Sequence, residues 1–309
     1  MKQKILFLAL CLLVAGCGTS NSKDANASKI VLSSVPIAPE DAFPIGNDGS
    51  LEGKTPLDLS LEQFSSDQTK ISEEENLPSM KKLLTIALLP LGETAYIWGG
   101  GWNEEDDGAG IEARTLGVSP SWKTFADAIT SEYDHSKFRY QIHDGLDCSG
   151  YVGWLVYNVF ETENEKEGYV YGSTDIAKTY ASLGFGEYRP AKEVTEWKPG
   201  DVASMSGHVW ICLGSCQDGS VLLIHSSPPG VRICGTLKGK KETDASRLAA
   251  EIMRQNYPAW YDRFPDCTAK QEYLKASQMR WNEETFPDAA RFQAMSAEEI
   301  AAWLFPAEY

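Results

Sequence analysis

The chain has 309 residues, and its 28 lysines and arginines against 44 aspartates and glutamates leave a formal net charge of -16. That balance excludes the basic face that nucleic acid or an anionic lipid surface requires. A hydrophobic content of 42% and a charged content of 23% exclude wholesale disorder but leave the chemistry open.

Residues 1–16 read MKQKILFLALCLLVAG. Lys2 and Lys4 precede an apolar run from Ile5 to Ala15, the layout of an export signal and far shorter than the roughly 20 residues that span a bilayer. Leu13-Val14-Ala15-Gly16-Cys17 resembles the lipobox of bacterial lipoproteins. The resemblance implies that Cys17 is lipidated and anchors the chain to a bacterial membrane, within the cell envelope and facing the extracytoplasmic side. The competing reading is an ordinary cleavable signal with an incidental cysteine. Residues 17–80 hold only two aromatics, Phe43 and Phe64, among many polar residues, and predict a flexible acidic or polar tether. The folded body is expected over 81–309.

Gly145-Leu146-Asp147-Cys148-Ser149-Gly150-Tyr151-Val152 leads into a stretch with apolar residues at 152, 155, 156 and 159, the stripe of a buried helical face. Asp147 is placed to cap that helix, so Cys148 falls in its first turn. There the free N–H groups and the helix dipole are expected to lower the thiol pKa, as a nucleophile needs. The competing reading is a small buried hydrophobe.

Only four histidines occur: His135, His143, His208 and His225. Residues 207–214 and 219–225 read as two strands of a hairpin around a loop at 215–218. With Gly214 facing Gly219, His208 falls opposite His225 on one face, where one imidazole orients the other as general base. Ala245–Tyr257 and Ser296–Leu304 read as helices, the second with Ser296 and Glu299 at capping-box spacing. Beyond Cys11 and Cys17, five cysteines remain: Cys148, Cys212, Cys216, Cys234 and Cys267. An odd number outside the cytoplasm flags one free thiol, and the other four allow three full pairings or none. No spacing matches a zinc site, and no metal or cofactor is expected.

In order and chemistry these pieces resemble the NlpC-type cysteine peptidases of bacterial cell walls. Tyr96-Ile97-Trp98-Gly99-Gly100, Asp147-Cys148-Ser149-Gly150, Pro199-Gly200-Asp201, Gly207-His208-Val209 and Ile224-His225-Ser226 match the family pattern over roughly residues 90–235. The resemblance implies an α+β, papain-like domain, with the catalytic cysteine at the N-terminus of a helix packed on an antiparallel sheet that carries the histidines. It implies Cys148 as nucleophile, His208 as general base and acid, and His225 as its orienting partner. Tyr96, Trp98, Asp147 and Ser149 would bind substrate.

The implied reaction is hydrolysis of an amide bond in peptidoglycan stem peptides, between γ-D-glutamate and a diamino acid. The implied protein is a monomer that meets peptidoglycan peptides as substrate, touches the membrane only through its lipid and binds no nucleic acid. Alternatives are another amidase, an acyltransferase or a transglutaminase-like exchange on the same triad, or a lipoprotein that only binds wall peptides. Two segments depart from the pattern. The insert 101–146, with its acidic run Glu104-Glu105-Asp106-Asp107, reads as a lid, a calcium-binding loop or a solvated excursion. The tail 236–309, helical and rich in aromatics, reads as an extension of the core rather than a wall-binding surface.

Overall fold

A computed structural model describes residues 77–140, 143–161 and 168–306, all within one structural unit, 55–309. The expected signal, Cys17 and the tether up to residue 76 lie outside the described residues. Ser79 accepts a hydrogen bond from the Lys82 N–H and starts helix α1 (Met80–Ala87), in which Met80 is fully buried. There follow β1 (Ala95–Tyr96), a 3-10 turn (Glu112–Arg114), α2 (Pro120–Ala128), β2 (Gly145–Leu146), α3 (Cys148–Phe160) and α4 (Ile176–Ser182). β3 (Gly186–Arg189), β4 (Val202–Met205), β5 (His208–Ser215), β6 (Val221–Ser227) and β7 (Gly230–Thr236) come next. The tail supplies α5 (Asp244–Asn256), α6 (Pro258–Arg263), β8 (Thr268–Ala269), a 3-10 turn (Gln271–Lys275), β9 (Ser277–Trp281) and α7 (Ala297–Leu304).

The class is α+β. Among the described residues nine strands form one sheet in the order β2-β1-β7-β6-β5-β4-β9-β3, with β8 beside β7. The sheet is mixed rather than antiparallel as expected, because β1 pairs with β2, and β7 with β8, in parallel. The long excursion between β1 and β2 is what permits the first parallel pair, which no tight turn can make.

Helix α3 starts where its cap predicts, with the Asp147 side chain accepting from the Gly150 N–H. All its residues except Phe160 are buried, as befits a helix enclosed on every side. Val209, Ile211 and Leu213 of β5 and Leu222 and Ile224 of β6 face the same core as α3. The alternate residues Trp210, Cys212, Val221 and Leu223 face a smaller cluster, closed by Trp197 and by Tyr273 and Leu274 from the tail. The two faces follow the period of two along each strand. Among the described residues no helix is long and apolar enough to cross a membrane.

The insert is not a mere excursion. Its acidic run is an exposed loop, closed by the bond from Asn103 Nδ2 to Asp107 Oδ1 at 2.7 Å. Past that loop, Ala113, Trp122 and Ala126 are buried, and the Trp122 ring meets Trp154 of α3 edge-on at 6.0 Å.

In the tail, α5 and α7 match the expected helices, and the Ser296–Glu299 capping box is formed. Strand β9 was not foreseen. It lies between β4 and β3, and its residues Gln278 and Arg280 are polar yet buried. They are buried because they serve Asp201 of the Pro-Gly-Asp turn. Arg280 binds both carboxylate oxygens at 2.9 and 2.8 Å, and Gln278 Nε2 donates at 2.7 Å. Burial pushes the Asp201 carboxyl up, and the Arg280 guanidinium pulls it back. A buried pair loses most when one partner is removed, because the remaining charge stays desolvated. Arg280→Ala is therefore expected to lower the unfolding free energy by about 3–5 kcal/mol in urea titrations; a loss under about 1 kcal/mol, the scale of a surface pair, would mean that this contact does not hold the tail.

Candidate active site

Backbone packing decides where the site forms. Ala95 pairs with Gly145 and Tyr96 with Leu146, so the chain entering α3 runs beside Tyr96. The Asp147 N–H then donates to Gly100 O at 2.9 Å. A Cβ on Gly150 would lie 2.0 Å from Gly100 O, so the first turn of α3 reaches the Gly99-Gly100 loop only because residue 150 is glycine. At Gly99 the backbone is left-handed, with φ +84, and a Cβ would strike the Tyr140 ring.

Asp147 ties the two segments together. Its Oδ1 accepts from the Gly150 N–H at 2.7 Å and the Ser149 hydroxyl at 2.8 Å, and its Oδ2 accepts from the Gly99 N–H at 3.2 Å. Trp102 of the insert donates from Nε1 to Ser149 Oγ at 3.0 Å. Burial raises the Asp147 carboxyl to about 6, against the pull of these bonds. Asp147 and Ser149 do border the cleft. Their polar atoms are spent on the architecture of the helix start.

Cys148 occupies the first turn of α3 and is 8% exposed. The expected lowering of its pKa is reversed. Burial, and then the Asp147 charge, push the thiol up to about 12, outweighing the backbone N–H groups of Val209, Ser149 and Cys148 itself. The first-turn donors act as foreseen; desolvation of a thiolate costs more. The N–H of Val209 reaches Cys148 from the residue next to His208. Cys212, Cys216, Cys234 and Cys267 are likewise free and buried.

His208 Nε2 lies 2.8 Å from His225 Nδ1, the rings edge-to-face with centroids 4.9 Å apart. The expected register does not hold. Ile211 faces Ile224 and Cys212 faces Leu223, two residues off the expected pairing, and a bulge follows between Cys212 and Gly214. A slip of two preserves the face, so the histidines meet diagonally instead of directly across. Burial and then the Arg232 charge push His208 down to about 4. His225, fully buried and paired across the sheet with Arg232, is held well below the ordinary imidazole range by burial, then by His208 and Arg232. The Ser226 hydroxyl donates to Leu146 O at 2.7 Å and so joins the histidine strand to the segment ahead of Cys148. Among the described residues no hydrogen bond joins Cys148 to His208.

A cleft of about 360 Å³ opens at Cys148, with Tyr96, Trp98, Ser149 and Gly207 around it. One wall comes from the insert through Asp106 of the acidic run and through Phe138 and Tyr140, which no motif indicated. Trp98 is 39% exposed and its ring stands 3.8 Å from that of Phe138. Tyr96, half-buried, is held firmly as a neutral phenol by burial and by the neighbouring Asp147 and Cys148. His135 Nδ1 lies 3.3 Å from Tyr96 O, whereas His143 contacts Glu112 at 3.3 Å. The tail adds Tyr273, packed against both histidines of the pair.

Compared with protein-family models, with curated proteins and with solved structures, the chain finds no match.

If the glycine contact places the helix start, Gly150→Ala should destabilise the chain by about 1–3 kcal/mol as an overpacked site. Gly172→Ala, where an added Cβ meets nothing within 4 Å, should stay within about 0.5 kcal/mol. Equal unfolding midpoints for the two variants would remove the contact from the account.

Proposed function

We propose that the chain is a cysteine peptidase with an NlpC-type, papain-like domain, hydrolysing amide bonds in peptidoglycan stem peptides as an exported, lipid-anchored protein. One observation carries the reading. The Cys148 thiol lines a cleft and is influenced by the N–H of the residue that follows His208, and His208 already has His225 as a hydrogen-bonded partner.

The resting pair is neutral on both sides, a thiol and an imidazole. Catalysis then runs by general base rather than from a standing thiolate–imidazolium pair. In the tautomer in which the His208 Nε2–H donates to His225 Nδ1, which the proposed mechanism requires, the lone pair on His208 Nδ1 is the basic site. The contact from thiol to imidazole forms as substrate enters, as catalytic hydrogen bonds commonly tighten on binding. Sγ attacks the amide carbon while its proton passes to Nδ1. The N–H groups of the first turn of α3 and the neutral Tyr96 hydroxyl are the donors nearest the developing oxyanion. Collapse breaks the C–N bond, the amine leaves with the proton from His208, and a thioester remains on Cys148. Water, deprotonated by His208, attacks the thioester; the acid is released and the thiol regains its proton.

The motif set resembles that of enzymes cutting between γ-D-glutamate and a diamino acid, and this bond is the proposed target. Incubating the full chain with purified muropeptides, followed by mass analysis, tests it. Cleavage at that bond is expected, falling by roughly three orders of magnitude or more in Cys148→Ala. Transfer of an acyl group without hydrolysis would favour an acyltransferase, and undiminished cleavage in Cys148→Ala would remove the thiol from the mechanism.

The base must be unprotonated to act, so a depressed pKa extends activity downward in pH. With His208 near 4, substantial kcat/KM should persist at about pH 5, beyond any step from Asp147 as it protonates through about 6, and be lost only as the pH drops through about 4. Complete loss of kcat/KM by about pH 5 would show that His208 is not the buried base.

A further inference from the structure

Tyr273 lies outside every motif that led to the site. It belongs to the 3-10 turn Gln271–Lys275, in the tail that the resembled family does not need. Its ring centroid stands 4.8 Å from that of His208, tilted by 41°, and 6.0 Å from that of His225, edge-on at 70°. Its hydroxyl is under the influence of Ser227, at the end of β6, and of the Arg232 charge. The turn that carries it is anchored on both sides. β8 pairs with β7 ahead of it, β9 pairs with β4 behind it, and Gln271 Oε1 accepts from the Gly239 N–H at 2.8 Å. The ring is therefore held in place by the sheet that carries the histidines.

The ring helps to close the smaller core, and it also lies against two imidazoles, at the aromatic-pair separations that fix relative orientation. We infer that Tyr273 is a positioning residue: it sets the plane of the His208 imidazole with Nε2 directed at His225, and it keeps water off the pair. The appended tail is thereby part of the site. The consequence for rate rests on the peptidase reading; the consequence for His208 itself does not.

The groups facing His208 are His225 on β6, Arg232 on β7 and Tyr273 on the tail turn, while Met205 opposite it on β4 carries no charge. Burial, with Arg232 second, is what depresses the His208 pKa. Removing the ring admits water and weakens the first cause, while Arg232 stays.

The test is a histidine-labelled NMR titration of the full chain, with the His208 signal identified by its loss in His208→Gln. In the wild type and in Tyr273→Phe, His208 should titrate near 4. In Tyr273→Ala it should move upward by about one unit or more, toward the ordinary 6.5. On muropeptides, Tyr273→Ala should lose about ten- to a hundredfold in kcat with KM little changed, as a misplaced catalytic group does, and Tyr273→Phe should retain activity. A folded Tyr273→Ala chain with the wild-type titration overturns the inference. Absence of cross-relaxation between the Tyr273 and His208 ring protons in the wild-type chain overturns it without recourse to any variant. A shifted titration in a chain that cleaves no muropeptide supports the positioning role and removes the peptidase reading.

Discussion

The site depends on one close approach of backbone to backbone. Gly150, in the first turn of α3, lies against Gly100 O with no room for a side chain between them. Asp147 bonds both the helix and the Gly99 N–H, so the loop carrying Tyr96 and Trp98 cannot move independently of Cys148. Everything else at the cleft is placed from there. β2 runs parallel to β1 and sets Leu146 beside Tyr96, and the Ser226 bond to Leu146 O brings the histidine strand to the same point. The acid of the motif is therefore primarily an architectural group, a cap shared between two segments.

Burial governs the electrostatics of the same place. A helix N-terminus favours a thiolate, and the donors are present, yet desolvation and the Asp147 charge prevail and the thiol stays protonated. The same burial, with Arg232, keeps both imidazoles neutral. The two effects are complementary. Under the proposed mechanism, a neutral base of low pKa would remain available to take a proton at moderately acid pH, and a thiol that gives up its proton only during attack would make no early demand for a counter-ion.

The parts of this arrangement that were legible in the sequence are those set by local pattern. The cap at Asp147, the helix behind it and the capping box at Ser296 follow from short-range rules and appear as expected. The meeting of His208 and His225 on one face was legible despite a misplaced register, because the slip was two residues and the pleat repeats every two. Long-range burial was not legible. β9 carries Gln278 and Arg280, whose polarity conceals a buried strand until Asp201 is seen to receive them. Phe138, Tyr140 and Tyr273 reach the cleft or the histidines by folding of the insert and tail, with no spacing to announce it. The direction of the thiol shift was misread for the same reason: the helix start is visible in a sequence, and the depth at which it lies is not.

The central claim is that hydrolysis passes through Cys148, the one cysteine of the five in the described residues that lines the cleft. Its most direct test is graded alkylation of the full chain with a small thiol reagent. Each aliquot is mapped by mass spectrometry and assayed on muropeptides in parallel. The account predicts that residual hydrolysis falls in proportion to the unmodified fraction of Cys148. Hydrolysis persisting with Cys148 fully modified, or lost while Cys148 remains free, would contradict it.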